Sequence, residues 1–99
     1  MAVYTIAQLK FTDVAAYRRY QAAFPAVFRR FNGKLLAADE NPVVLEGEWP
    51  RDKVVVMEFP DEASAAAFSS DPEYQAISKD RKAGADAVVL LVHGFSPKA

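Results

Sequence analysis

The side chains in this sequence best suited to chemistry are few: His93, the tyrosines Tyr17, Tyr20 and Tyr74, and the charged residues Glu46, Glu48, Glu58 and Arg81. His93 is the single histidine, so it is a candidate general base or a haem or metal ligand. A lone histidine without cysteine makes a poor transition-metal site, which usually needs three or more ligands, and the plainer reading is an edge-strand histidine. Glu58 falls late in an apolar run, out of phase with Met57 and Phe59. A half-buried carboxylate there is a candidate base with a raised pKa, or it pairs with Arg81 as structural glue, the better bet of the two. Glu46-Gly47 reads as a bulge or an edge feature. The three tyrosines either pack in the core with their hydroxyls partnered or turn those hydroxyls into a cavity; packing is the simpler reading. Trp49 is a lid over a pocket or an anchor at a dimer interface.

Other chemistries are excluded more firmly. The chain has no cysteine, which removes disulfides, thiolate catalysis and iron–sulfur clusters. It carries no Ser-His-Asp arrangement, no phosphate-cradling glycine loop and no metal-spaced carboxylates. No cofactor and no metal are therefore expected. The net charge of -1 and the lack of a basic cluster beyond Arg29-Arg30 argue against a nucleic-acid partner. No apolar run is long enough to span a bilayer, so no membrane partner is expected. The start, Met1-Ala2-Val3-Tyr4-Thr5, lacks the features of a signal peptide, and cytoplasm is the expected location.

The elements that must position these residues are legible from period. Residues 3–11 alternate, with Val3, Thr5, Ala7, Leu9 and Phe11 on one face of a strand. Thr12-Asp13 offers a helix cap. Tyr17, Tyr20, Phe24, Val27, Phe28 and Phe31 form one helical stripe, with a kink or break expected at Pro25 and a stop at Asn32-Gly33. Residues 34–38 read as a short strand, 43–49 as extended, and 53–59 as a strand apolar on both faces. A helix starts at Pro60-Asp61-Glu62 and restarts at Asp71-Pro72. Tyr74, Ile77 and Arg81 share a face of it, Gly84 ends it, and residues 87–95 form the last strand.

The order β-α-β-β-α-β in 99 residues predicts one α+β domain over 1–99. It is a ferredoxin-like, four-stranded antiparallel sheet with both helices on one face. Its third and fourth strands do not alternate, so the uncovered face is apolar. The chain has no spare element to cover it except the 43–49 segment. The favoured closure is a homodimer through the open sheet face.

A strand running into Asp13 with Tyr17 and Tyr20 behind it opens a recognisable series. Asn32-Gly33-Lys34, Val44-Leu45-Glu46-Gly47-Glu48-Trp49, the block 54–60, and Asp71-Pro72-Glu73-Tyr74-Gln75 followed by Arg81 complete it. In that order they resemble the domain of unknown function 1330 family over nearly the whole chain. The family is similar to the dimeric α/β-barrel superfamily, which includes cofactor-free monooxygenases, muconolactone isomerases and haem proteins. The resemblance implies that fold and a ligand pocket between sheet and helices. The sequence departs from the family pattern at Asp39-Glu40-Asn41-Pro42, where a glycine-rich turn is expected. It departs again at Phe68-Ser69, where an aromatic pair is expected, and at His93, where an acidic residue is expected.

Two functions fit. The first is a dimer that binds a small apolar or aromatic molecule between sheet and first helix, as a cofactor-free oxygenase or isomerase or as a binder alone. Its pocket candidates are Tyr17, Tyr20, Trp49, Glu58, Tyr74, Arg81 and His93. The second is a non-catalytic dimeric interaction or stress-related module.

Overall fold

A computed structural model describes residues 1–95; the end of the predicted domain span, 96–99, lies outside it. The elements run β1 (Val3–Phe11), α1 (Val14–Phe28), β2 (Lys34–Asp39), β3 (Lys53–Phe59), α2 (Glu62–Ser70), α3 (Pro72–Gly84) and β4 (Ala85–His93). The strands form one antiparallel sheet in the order β2-β3-β1-β4. This is the predicted ferredoxin-like arrangement.

Short polar side chains start each helix. Asp13, Asp61 and Asp71 accept from the backbone N–H groups of Ala16, Ser64 and Tyr74, satisfying donors that the first turn leaves free. Pro72 follows Asp71 at the first position of α3, where its missing N–H costs nothing.

Strand period two then sets what faces the helices. Val3, Thr5 and Leu9 on β1 and Lys53, Met57 and Phe59 on β3 are buried beneath them. Phe28, Phe59, Val27, Met57 and Phe68 make one core cluster, and Leu9, Tyr17, Tyr20 and Ala85 make the other. Phe24, Val55, Tyr74 and Ile77 pack against both. The Phe68 ring lies within 6.0 Å of the rings of Phe24, Phe28, Phe31, Phe59 and Tyr74.

The other face carries Tyr4, Ile6 and Gln8 of β1, Val54, Val56 and Glu58 of β3, and Val88, Leu90 and Val92 of β4, aligned across the sheet. No helix covers it. Val88, Leu90 and Val92 are 40%, 46% and 39% exposed, far more than core positions tolerate.

Three expectations are corrected. Helix α1 passes through Pro25 as one helix and does not break. It ends at Phe28, a turn before Asn32-Gly33, with Arg29 N–H bonded to the Pro25 carbonyl. Gly33 takes no left-handed conformation; it is needed because a Cβ there would lie 2.6 Å from the Phe28 ring and 2.8 Å from that of Phe59. The 43–49 segment, expected to be extended, is irregular. Gly47, at φ 85°, turns it back in a conformation that other residues rarely adopt, and Trp49 comes down onto the open face, donating its Nε1–H to Gln8 Oε1 at 3.0 Å.

Candidate functional site

The alternation of β3 puts Lys53 in phase with Val55, Met57 and Phe59, on the helix side. Its place is pinned by Asp52, whose N–H donates to the Leu9 carbonyl at 2.7 Å and whose Oδ2 accepts from Phe11 N–H at 2.8 Å. Above Lys53 lies the inner stripe of α1. Between them opens a cleft of about 240 Å³. Tyr17, Tyr20, Gln21, Phe24 and Pro25 wall it from α1, Leu35 and Ala38 from β2, and Lys53 and Val55 from β3.

Lys53 is the charged residue of its lining. The Lys53 ammonium lies 4.9 Å from the Tyr17 ring centroid, a cation–π contact, and 3.5 Å from Glu40 Oε2. Arg18 grips the same carboxylate through two nitrogens, one of them at 2.8 Å. The Arg18 hydrogen bond holds the Glu40 carboxyl down to about 2. Burial pulls the Lys53 ammonium below its ordinary value, against the pull of Glu40. Burial, and then the Glu40 charge, push the Tyr17 phenol up to about 12. Tyr20 is raised for the same first reason and by its neighbour Tyr74, whose hydroxyl is 3.0 Å away.

Of the residues expected at a pocket, the structure brings together Tyr17 and Tyr20 at the cleft and Tyr74 directly behind. Arg81 is close enough for its charge to oppose the rise of both Tyr17 and Tyr20, and its buried Nε has no partner among the described residues. The other three are elsewhere. Trp49 and Glu58 lie on the open-face side, because Glu58 pairs in register with Tyr4. Glu58 and Arg81 are therefore on opposite sides of the sheet and do not form the expected pair. His93, at the end of edge strand β4, is exposed and hydrogen-bonded to Glu62.

Arg18, Glu40 and Lys53 went unrecognised in the sequence. Lys53 carried a signal: it is two, four and six residues from Val55, Met57 and Phe59, so period two buries it. Glu40 carried none, since loop geometry alone brings it to Arg18.

The sequence profile of the domain of unknown function 1330 family (DUF1330) matches residues 2–95. The chain belongs to this family. No curated protein matches it. Among solved structures it is similar to RPA0582, a protein of unknown function from Rhodopseudomonas palustris. Identity is 21% and the TM-score 0.80, over 97% of this chain and 84% of that one. SnoaB, described as a cofactor-independent oxygenase from Streptomyces nogalater, is 13% identical at a TM-score of 0.70, over 98% and 96%. A protein from Jannaschia sp. described as a dimeric ferredoxin-like protein of unknown function is 14% identical at 0.72, over 95% and 100%. At these identities the likenesses establish the DUF1330 chain's fold and no more.

Proposed function

We propose that this DUF1330 protein is a homodimer that binds a small apolar or aromatic molecule in the cleft between α1 and the β2–β3 side of its sheet. The observation that carries the reading is the cleft's lining: mostly rings and aliphatic side chains, with one ammonium, two phenols and one amide among them. Such a mixture of apolar wall and few polar groups is the usual make-up of a ligand site. At about 240 Å³ it falls below the roughly 300–1,000 Å³ of drug-sized sites, so the occupant is small, on the scale of a single ring.

Pairing through the open face is supported by its apolar strand residues, which water would otherwise cover. The protein described as dimeric shares the fold, and twofold pairing is the commonest way to close such a face.

Neither Tyr17 nor Glu40 is suited to proton transfer near neutral pH. Proton transfer near neutrality works best with a group whose pKa lies there. Tyr17 is raised to about 12 and Glu40 is lowered to about 2, so the phenol stays protonated and the carboxylate is a weak base. The oxygenase description of SnoaB belongs to that protein.

The test is a titration with toluene, a neutral single-ring probe, followed by backbone amide shifts. Ala38 is exposed at the cleft wall, so Ala38→Phe fills the cleft without disturbing the core. Saturable shifts at Tyr17, Ala38 and Val55 in the wild type that Ala38→Phe abolishes are expected. Absent binding, or binding that Ala38→Phe leaves intact, overturns the reading.

A further inference from the structure

The charges around Lys53 say more about the cleft's occupant, given that the cleft is a ligand site, the reading on which this inference rests. Arg18, Glu40 and Lys53 carry two positive charges and one negative, leaving one positive charge uncompensated among them. Arg18 and Glu40 form the tight pair, a fork with both guanidinium nitrogens on the two carboxylate oxygens. Lys53 reaches Oε2 only at 3.5 Å, well outside the roughly 2.7–2.9 Å of a strong charge-assisted bond. The surplus charge is thus on Lys53.

That ammonium is also short of partners. It has three donors and no acceptor, with the long Glu40 contact and the face of Tyr17 as its neighbours. Its side chain is 5% exposed, so bulk water does little for it. A buried cation with unspent donors favours an anion that can fill them. Apart from Gln21, the rest of the cleft wall is apolar and aromatic.

We infer that the cleft takes a small apolar molecule bearing a single carboxylate, with that carboxylate on Lys53 Nζ and the apolar body along Phe24 and Val55. Benzoate and its neutral isostere benzamide are the probes, each titrated into the full chain and followed by backbone amide shifts. Benzoate is expected to bind at least about tenfold more tightly, the factor for a hydrogen bond to a charged partner, with shifts centred on Tyr17, Ala38 and Lys53. Lys53→Met should level the two affinities. Glu40→Gln, at an exposed loop position, should tighten benzoate several-fold by removing its competitor and leave benzamide unchanged.

Benzamide binding as tightly as benzoate in the wild type overturns the inference and leaves the cleft reading standing. Shifts at the cleft from neither probe overturn both. Where Lys53→Met does not fold, Glu40→Gln decides: benzoate unchanged or weakened contradicts the role given to Lys53.

Discussion

Two pairs of side chains govern the site at the scale of residues. The Tyr20–Tyr74 hydroxyl contact joins α1 to α3 where Tyr20 is buried. Tyr20→Phe leaves the Tyr74 hydroxyl without its partner, and a loss of about 1–3 kcal/mol is expected in urea denaturation. The double variant with Tyr74→Phe should recover part of that, because nothing polar is then stranded. Glu40 makes a pH prediction. Its folded pKa, about 2, lies below its ordinary 4.5. Its contribution is therefore complete above about pH 4.5 and fades as pH falls toward 2. The urea midpoint of the wild type should exceed that of Glu40→Gln near neutral pH and converge with it in that acid window. The gap is small, since Glu40 is over a third exposed and water screens the pair. A gap constant across pH would contradict the Arg18–Glu40 pairing. These residues were only half legible: the tyrosines stood out by helical spacing and the phase of Lys53 with Val55, Met57 and Phe59 marks it for burial, but nothing in the sequence brings Glu40 to Arg18 beside it. Glu58 stood out for its charge, yet its phase sends it to the opposite side of the sheet.

Elements meet most tightly where α3 passes into β4 with no loop between them. The Gly84 carbonyl accepts from both Thr12 and Asp13 N–H, at 2.9 and 3.0 Å, tying this corner to the start of α1. A Cβ at Gly84 would stand 2.5 Å from Tyr17 N and 2.7 Å from the Asp13 carbonyl oxygen. Both are backbone atoms, so α1 itself must shift. Gly84→Ala should lower stability by about 1–3 kcal/mol, the range for overpacking, measured by thermal or urea unfolding; an unchanged midpoint would contradict the close approach. Boundaries followed local chemistry closely where an aspartate caps a helix, as at Asp13, Asp61 and Asp71. They were misread where tertiary packing decides. Gly33 looked like a helix stop, but its role is to let two phenylalanine rings in. The 43–49 run looked extended and was the one segment free to cover the sheet; Gly47 and the Trp49 hydrogen bond bend it onto part of the open face.

For the whole molecule the governing fact is a sheet with helices on one side only. The apolar runs of β3 and β4 made that legible in the sequence, and the register now shows which residues are left uncovered: Ile6, Val56 and Leu90 at the centre, with Trp49 over Gln8 toward one end. The loop shelters part of the face and leaves β4 exposed. Leu90 lies outside both core clusters and is 46% exposed, so Leu90→Lys should leave the fold intact. In a dimer closed by the two sheet faces, that lysine would be driven into an apolar interface, against a buried-charge penalty of several kcal/mol. The most direct measurement is a native mass spectrum of the purified wild type beside Leu90→Lys. The account predicts twice the 10.9 kDa chain mass for the wild type and the single mass for the variant. A wild-type chain that flies as a monomer, or a variant that remains dimeric, would contradict it.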